Sequence, residues 1–479
     1  MNKAVVFLTV ISTFSLVKPA LATEFKLGSK NKILISVSPG FLVQKRQVGK
    51  THRIEISQRA ESKSEETVEI KFSCPRAKGL ILPKSEGHYI PTEDKEWTSY
   101  LCNKWPSAMT GEFSFPAWGY DFHGKTATVI VTNQFDNEVS YHRENNKISI
   151  RVKHTFTSLS DQKRIGFTIN YGGPSLLSPA LTYRRLFLQK NPRATLLEKI
   201  RSNPRVSRLI GAPHAYLWGD WILAQHNIKN WRKFCRLLAN SLDPLWKKLS
   251  EKGKKEIKAV VRGGAIFAYR KLVIIEEIDK VLKSPSFIRQ WKPDDKLASC
   301  LESKKLWGAG VSQRMLKTLA KDGFKKFALF LGDINAGANH PKVALLAKEL
   351  GYLYGPYDSY HSVHHPSAKE TWPTAQFDME AYQKGAMKRA DGSYYHGFKK
   401  IGRKINPEFA LPYMKKRVNS LLAKLQYTNW FIDCDAYGEL HNDYSPAHPL
   451  NQEKDALVRT LRMKWLSEEL GLVASSEGG

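Results

Sequence analysis

Apolar and polar residues alternate along much of the chain up to about residue 190. Such alternation occurs at 32–37, 52–57, 67–72 and 147–152. Neighbouring side chains of a strand point to opposite faces, so a period of two predicts half-buried strands. Many short strands without helical stretches between them favour two packed antiparallel sheets. We therefore predict a β-sandwich domain over residues 23–190.

The pattern changes near residue 195, where helical periodicity begins to alternate with short apolar runs. Strands separated by helices pair in parallel through right-handed crossovers. The glycine-rich turn of a dinucleotide-binding sheet is missing, which favours a (β/α) barrel over residues 195–479. We place its strands at 215–220, 326–333, 352–357, 430–435 and 472–477.

A complete barrel of this type has eight strands, and the sequence supplies five. The expected fold is therefore α+β and multidomain, with an N-terminal β-sandwich followed by a (β/α) TIM-type barrel that is truncated after the fifth strand. Three explanations stay open: a shortened product, a partner or second chain that supplies the remaining strands, or a fold that closes in another way. A truncated barrel would leave strand edges open and favour association.

The first 22 residues have the features of an export signal. Lys3 gives a positive start, residues 4–17 form an apolar run, and Ala20-Leu21-Ala22 fits a small-x-small cleavage site. We expect residues 1–22 to be removed and the mature protein to be secreted or periplasmic. No later stretch is long and apolar enough to cross a bilayer, so no transmembrane segment is expected after cleavage.

Composition and charge narrow the class of protein. The 479 residues are 42% hydrophobic, which excludes a disordered chain. Lys and Arg exceed Asp and Glu by 75 to 45, a net charge of +30 that favours anionic glycans, envelope lipids or nucleic acid. The basic residues are scattered, which favours a generally cationic surface with non-specific polyanion binding over a dedicated nucleic-acid site.

The five cysteines give little evidence for a metal or redox site. No Cys-x-x-Cys spacing occurs, so zinc-ribbon and dithiol redox motifs are absent from the sequence. Cys74 and Cys102 fall in the same early region and are the natural disulfide pair. Cys434 is the thiol that we expect to stay free.

Polar residues follow the predicted barrel strands at the point where each strand ends. In a (β/α) barrel these carboxyl ends form the catalytic face. Asp433 and Asp435 are two apart on one strand, so they should point the same way, and Cys434 should point into the helix layer. The polar residues at the five ends are Asp220, Asp333, Asp358 with Tyr360 and His361, Asp433 with Asp435, and Glu477.

Two carboxylates on neighbouring strands can hydrolyse a glycosidic bond. Asp435 and Glu477 end adjacent predicted strands, which lie about 4.8 Å apart. That spacing suits the roughly 5 Å carboxylate separation of a retaining enzyme. Aromatic residues near the strand ends, among them Trp218, Tyr357 and Trp372, could cover the apolar faces of a sugar.

The residues that we expect to bind substrate are Asp433, Asp333, Asp358, Tyr360, His361, Trp372 and Trp218. The histidines near His361 lack a helical His-Glu-x-x-His pattern, so substrate binding or loop packing is favoured over a metal site. We predict neither a metal nor a cofactor.

Three segments are similar to those of a known group of enzymes: 354–361 with 372–375, 431–438 and 475–479. Together they resemble bacterial glycoside hydrolases related to the endo-α-N-acetylgalactosaminidases and α-N-acetylgalactosaminidases, over residues 205–479. The resemblance implies cleavage, with retention, of an α-N-acetylgalactosaminide or related bond. It assigns the nucleophile to Asp435, through the order Asp435-Ala-Tyr-Gly, the acid/base to Glu477, and a sugar contact to Asp333.

Two other functions stay open. The chain could be a non-catalytic carbohydrate-binding protein or degenerate hydrolase, or a cationic envelope protein that binds polyanions. Turnover of a chromogenic α-N-acetylgalactosaminide would support the hydrolase, and glycan binding without turnover the first alternative. Polyanion binding that moderate salt abolishes would support the second.

Overall fold

The computed structural model describes most of the chain. The described residues are 23–27, 31–59, 65–173, 175–217, 221–240, 242–308, 312–332, 334, 336–368 and 371–477. They divide into two compact units. Unit 1 holds the described residues up to Arg193 together with Tyr437–Ala456, and unit 2 holds Ala194–Ala436 and Leu457–Glu477. The segment Tyr437–Ala456 therefore differs from the prediction that placed all of 195–479 in one domain. The predicted signal peptide lies outside the described residues.

The strands, numbered in chain order, are β1 (Thr23–Leu27), β2 (Asn31–Val37), β3 (Leu42–Val48), β4 (Thr51–Ser57), β5 (Glu66–Ser73), β6 (Gly79–Leu82), β7 (His88–Pro91), β8 (Ser107–Ala108), β9 (Ala117–Asp121), β10 (Thr126–Val131), β11 (Asn137–Glu144), β12 (Lys147–Phe156), β13 (Arg164–Gly173), β14 (His214–Leu217), β15 (Ala328–Leu331), β16 (Leu353–Ser359), β17 (Ser362–Val363), β18 (Arg403–Lys404), β19 (Asn429–Asp433) and β20 (Val473–Ser476).

The α-helices are α1 (Lys95–Cys102), α2 (Met109–Glu112), α3 (Ser178–Lys190), α4 (Leu196–Ser202), α5 (Trp231–Ala239), α6 (Pro244–Lys248), α7 (Glu251–Val261), α8 (Ala268–Leu282), α9 (Pro285–Gln290), α10 (Asp295–Ala298), α11 (Gln313–Lys321), α12 (Ala336–Asn339), α13 (Pro341–Glu349), α14 (Met379–Lys384), α15 (Pro407–Leu422) and α16 (Gln452–Lys464). No helix within the described ranges has both the length and the apolar character that crossing a bilayer requires.

Unit 1 contains two antiparallel sheets around one hydrophobic core. The first has the order β1-β2-β5-β12-β11-β8 and the second β3-β4-β13-β10-β9-β6-β7. Along β5 the side chains of Val68, Ile70 and Phe72 are buried while their neighbours are not, as the alternation predicts. The Phe72 ring lies 5.0 Å from Trp118 and 4.9 Å from Phe167, both in the second sheet. Inward-facing rings of the two sheets thus share the core.

The five cysteines are all free in the structure. The predicted Cys74–Cys102 disulfide is therefore wrong. Cys74 follows β5 into the core, where its thiol donates a hydrogen bond to the carbonyl of Lys32 at 3.3 Å. A buried cysteine of this kind packs as a small apolar side chain.

Helices α5–α10 form a separate hydrophobic cluster in unit 2, between β14 and β15. Along α8 the residues Ile275, Ile278 and Leu282 are buried, at the i, i+3, i+7 spacing of one helix face. Caps define the neighbouring helices: the Ser250 side chain, for example, accepts the backbone N–H of Gly253 at the start of α7. The helical pattern of residues 228–283 is thus present, but as an insertion between two strands.

Five parallel strands form the central sheet of unit 2, in the order β14-β15-β16-β19-β20. Each predicted strand is present to within a few residues. Every strand pairs with its neighbours in chain order, without the reversal that marks a doubly wound sheet. Among the described strands the sheet stays open, with β14 and β20 at its edges.

The two faces of this sheet have different surroundings. On one face Leu329, Tyr354, Trp430 and Ile432 pack against helices such as α13 and α15. On the other, Phe330 and Phe431 belong to a smaller apolar cluster, in contact with the aromatic rings of Tyr216 and Tyr357. Alternation along each strand assigns residues to a face, so Asp433 lies on the same face as Phe431.

Gly355 provides a test of this sheet. A Cβ at this position would overlap the backbone carbonyl and side-chain oxygen of Asn429 on β19. We expect Gly355→Ala to push β16 away from β19 and to lower the free energy of unfolding by about 3 kcal/mol, as overpacking does. Gly111→Ala is the control because nothing lies within 4 Å of its added methyl. Urea unfolding followed by tryptophan fluorescence measures both, and equal stability of the two variants would contradict the close approach.

Candidate active site

Two carboxylates meet where β19 and β20 end. The strands are parallel and pair from Asn429 with Val473 to Ile432 with Ser476, so the next residues, Asp433 and Glu477, follow in register. A side-chain hydrogen bond joins Glu477 to Asp433. Their carboxylate oxygens lie within 4.8 Å of each other. Neighbouring parallel strands therefore bring together two acids that are more than forty residues apart in sequence.

This proximity changes the acidity of Glu477. Partial burial raises the pKa of the Glu477 carboxyl, and the negative charge of Asp433 and the hydrogen bond between them raise it further. Two carboxylates in contact cannot both ionise freely, so the pair holds a proton to a higher pH than an isolated glutamate would. One protonated and one ionised carboxyl are what acid-assisted displacement requires.

Tyr357 and Tyr216 lie beside the pair. Tyr357 donates a hydrogen bond to Asp433, and its ring stacks on Phe431 at 5.3 Å. Tyr216, 42% exposed, lies 5.5 Å from Phe431 and interacts electrostatically with both acids. Burial and the nearby carboxylates raise the pKa of both phenols, so they remain protonated donors. The acids thus sit at the rim of an aromatic surface.

The backbone turns sharply at Cys434. Its φ of +65° is in the left-handed region, which is uncommon for a residue with a side chain and costs on the order of 1–2 kcal/mol. Arg459 donates to the Cys434 carbonyl at 2.9 Å, and the N–H of Ala436 donates to Ser476 at 2.9 Å. These contacts stabilise the strained turn. The Cys434 sulfur lies within 4.8 Å of both carboxylates.

This turn corrects an expectation from the sequence. β19 ends at Asp433, so the alternation of side chains does not continue to Asp435. Asp433 and Asp435 do not point the same way, and Cys434 does not point into the helix layer but lies with the carboxylates. The strand-based argument was wrong because it extended the strand two residues too far.

Asp435 lies in a buried ion pair. Its carboxylate accepts a hydrogen bond from Arg462 at 3.3 Å, and both side chains are 2% exposed. Arg462 also donates to the carbonyl of Pro407 at 2.7 Å, at the start of α15. The group that contains Asp433 and Glu477 does not include Asp435. The structure therefore brings Asp433, and not the predicted Asp435, together with Glu477.

Asp358 and Tyr360 form a second buried cluster. The Asp358 carboxylate is fully buried and accepts from Arg417 at 2.7 Å, from the N–H of Ser359 at 2.9 Å and from the hydroxyl of Tyr360. Arg417 belongs to α15, so Asp358 points to the helix side of the sheet. Burial raises the pKa of Asp358, and Arg417 opposes the rise. This environment differs from the predicted role in substrate binding, because neither side chain reaches solvent.

His361 and Trp372 lie in the loops after β16. His361 accepts from Lys404 at 2.7 Å, and Trp372 packs edge-on against His364 at 4.3 Å. Their predicted contact with substrate remains a prediction. Asp333 and Trp218, also predicted to bind substrate, lie outside the described residues.

Sequence reasoning missed Tyr216. It is exposed on the sheet face that carries Asp433, two residues before the predicted Trp218. Alternation along the predicted strand 215–220 would have placed Tyr216 on the same face as the predicted Trp218, so the pattern that selected Trp218 could also have found it. Tyr357 was recognised as an aromatic near the strand ends, but not as a partner of Asp433.

The same group of side chains has the geometry to hold a metal ion. Asp433, Cys434 and Glu477 each offer one ligand atom within reach of a common centre. Exposed acidic groups often occur without an ion, and the sequence predicted no metal. That expectation remains untested.

Comparison with known proteins identifies a related family for part of the chain. Residues 318–479, which carry β16, β19, β20 and both acids, match the family described as glycosyl hydrolases related to GH101 family, GH129. No curated protein matches the chain. The resemblance to glycoside hydrolases related to the α-N-acetylgalactosaminidases is thus confirmed.

Solved structures share the fold. The α-N-acetylgalactosaminidase NagBb from Bifidobacterium bifidum, in complex with GalNAc, superimposes with a TM-score of 0.62 at 15% identity, covering 96% of this chain and 68% of that chain. Its complex with Gal-NHAc-DNJ gives 0.61 at 15% identity with the same coverage. The ligand-free form gives 0.59 at 15% identity over 96% and 69%. At this identity the likeness establishes the fold, a mixed α/β architecture with a β-rich N-terminal part.

The buried pair Asp435–Arg462 predicts that Asp435 contributes to stability, which can be distinguished from a role in catalysis. Asp435→Asn leaves the Arg462 charge buried without its counter-ion, and we expect a loss of about 3–5 kcal/mol in the free energy of unfolding. Lys384→Ala removes a partner of Glu380 in an exposed pair and should cost less than about 1 kcal/mol. Denaturant titration measures both. Native stability of Asp435→Asn combined with loss of turnover would instead assign Asp435 to the chemistry.

Proposed function

We propose that this protein is a retaining glycoside hydrolase that cleaves the α-linkage of an N-acetylgalactosaminide or a related N-acetylhexosaminide. The observation that carries the proposal is the hydrogen-bonded pair Asp433–Glu477, with carboxylate oxygens within 4.8 Å. Retaining enzymes hold their two acids about 5–5.5 Å apart, whereas inverting enzymes need roughly 6.5–9.5 Å to admit a water. Carboxylate oxygens within 4.8 Å leave no room for the water that an inverting enzyme places between its acids, which favours retention.

The choice of sugar rests on the family and on the structural neighbours. The matched family is related to GH101, and NagBb is an α-N-acetylgalactosaminidase that was solved with GalNAc bound. The exposed ring of Tyr216 beside the acids is a suitable surface for the apolar face of a hexose. These observations support a glycan substrate and favour an N-acetylated galactose among the candidates.

In the first step Asp433, as nucleophile, attacks the anomeric carbon while Glu477 gives its proton to the departing glycosidic oxygen. The bond from carbon to the leaving oxygen breaks, and an ester to Asp433 forms. In the second step Glu477 takes a proton from water, the water oxygen attacks the same carbon, and Asp433 is released as a carboxylate. Tyr357 holds the Asp433 carboxylate in one orientation through its hydrogen bond.

The charge of Asp433 also lets Glu477 act in both directions. Before the reaction this charge keeps the pKa of Glu477 raised, which favours the protonated acid. Formation of the ester removes the charge, so the pKa of Glu477 falls and the carboxylate becomes available as a base. The pair thus changes the acidity of Glu477 in the direction that each step requires.

We further propose that the sheet of unit 2 is the first part of a (β/α) barrel and that unit 1 is a β-sandwich. The sequential order β14-β15-β16-β19-β20 supports the barrel, because each new strand joins the same edge. The acids at the carboxyl ends of β19 and β20 also lie where barrel enzymes carry their active sites. The shared core of two antiparallel sheets supports the sandwich. Export through residues 1–22 is part of the proposal, on the sequence pattern alone.

The nucleophile can be tested by chemical rescue. Asp433→Gly should lower turnover of an aryl α-N-acetylgalactosaminide by more than about 10³-fold, because no group is left to attack the anomeric carbon. Added azide should enter the space and give the β-glycosyl azide, with inverted configuration. NMR of the product distinguishes the anomers. Near-native turnover without azide would remove Asp433 from this role.

Glu477 should show a different pattern. Glu477→Ala should slow substrates with poor leaving groups by about 10²–10⁴-fold and spare activated aryl glycosides in the first step. Azide should now intercept the glycosyl-enzyme and give the α-glycosyl azide, with retained configuration. Equal losses on both substrate classes without an azide product would contradict an acid/base role.

The raised pKa of Glu477 also predicts a pH dependence. The acid must be protonated to act, so kcat/KM should fall as pH rises through its pKa, which lies above the ordinary glutamate value of about 4.3. Glu477→Gln should flatten this alkaline limb when an activated substrate is used. A profile with the same alkaline limb in wild type and variant would assign the limb to another group.

A further inference from the structure

We propose that unit 1 carries a second binding site, separate from the acids of unit 2, for an anionic group carried on a glycan. The site is a cavity of about 500 Å³ between β10, β13 and α3. This volume falls within the range of about 300–1,000 Å³ that is common for small-ligand pockets. The inference goes beyond the proposed hydrolase, because it concerns binding without turnover.

The charged residues around the cavity have one sign. Lys50 and Arg185 line it, and no aspartate or glutamate does. Neither cation forms an ion pair within the described part of the chain, although the chain as a whole is rich in exposed Lys–Glu pairs. A guanidinium and an ammonium facing one space, without a counter-ion, attract a negative group.

Asn170 adds a donor. Its side-chain oxygen accepts a hydrogen bond from the hydroxyl of Thr51 at 2.7 Å. This bond fixes the orientation of the amide and leaves the side-chain nitrogen as the group that can still donate. That nitrogen is shielded from solvent and makes no hydrogen bond to a described residue. A buried donor without an acceptor costs about 1–3 kcal/mol, a cost that a bound acceptor would relieve.

The donors and the apolar wall together specify the ligand. Lys50, Arg185 and Asn170 offer N–H donors, and a sulfate ester or carboxylate offers only acceptors. Leu181, 57% exposed, lines the same cavity and presents apolar surface. A free inorganic ion would leave this surface uncovered, whereas a sugar ring that carries the anion would cover it. We therefore infer a sulfated or carboxylated glycan.

The experiment compares binding of a dextran sulfate oligosaccharide, its unsulfated parent and inorganic sulfate to the full chain, by calorimetry at 150 mM salt. We expect the sulfated oligosaccharide to bind at least tenfold more tightly than either of the others. Lys50→Ala with Arg185→Ala should weaken this binding at least tenfold. The control, Arg184→Ala with Lys190→Ala, removes the same charge from exposed positions on α3 and should change it less than twofold.

A second variant tests the donor without changing the net charge of the surface. Asn170→Leu keeps a similar volume but removes the N–H donor, and we expect it to weaken binding at least tenfold while circular dichroism remains native. If both double variants weakened binding of the sulfated oligosaccharide equally, the binding would be general electrostatic attraction to a cationic surface. That result would overturn the proposal. Equal binding of inorganic sulfate and the sulfated oligosaccharide would overturn the glycan assignment. Dextran is not an N-acetylgalactosaminide, so a negative binding result would not contradict the proposed hydrolase activity. Absence of hydrolase activity would likewise not contradict the binding site.

Discussion

The contact between Asp433 and Glu477 is the constraint on which the site depends. Two carboxylates within 4.8 Å repel one another unless a proton is shared, so the surrounding structure must hold them together. It does so through the register of two parallel strands, which is fixed by four residue pairs from Asn429 to Ile432 with Val473 to Ser476. A sheet hydrogen-bonded in this way is stiff, and stiffness is what keeps like charges in contact.

The turn at Cys434 is a consequence of the same constraint. The chain must leave β19 immediately after Asp433, and the left-handed residue makes this change of direction within one position. Arg459 binds the Cys434 carbonyl, and Asp435 binds Arg462 in the interior. Backbone strain at a functional position persists only when neighbours over-determine it. Here two buried arginines of α16 do so.

Buried ion pairs have a shared role around this sheet. Asp435–Arg462 and Asp358–Arg417 both lie on the helix side, and in each an acid that follows or ends a strand meets an arginine of a helix. Replacing such pairs by apolar residues often costs nothing in stability, but breaking one partner costs several kcal/mol. In this sheet the ion pairs hold the loops that follow the strands in a fixed position. Among the described strand ends, acids therefore occur in two settings: Asp435 and Asp358 pair with helix arginines, whereas Asp433 lies on the face of Phe431 beside Glu477.

The sequence by itself determined the elements and the class. Alternation at 67–72 predicted β5, the Asn406-Pro407 start predicted α15, and the run 430–433 predicted β19, because local periodicity and capping follow from the residues alone. The motifs at 431–438 and 475–479 pointed to a glycoside hydrolase related to the α-N-acetylgalactosaminidases, which the family match confirms for residues 318–479.

Only the tertiary structure decided which acids meet. The sequence does not distinguish Asp433 from Asp435, because both are aspartates at the end of the same predicted strand. In the structure they point in different directions, because Cys434 between them is left-handed and because Arg462, 27 positions further along the chain, binds Asp435. Asp358 also looks like a site residue in the sequence, because it lies near a strand end. The structure shows instead that it pairs with Arg417 of α15. The direction of a side chain at a strand end depends on where the strand stops and on long-range partners. Neither is encoded by the local pattern, so the assignment required the fold.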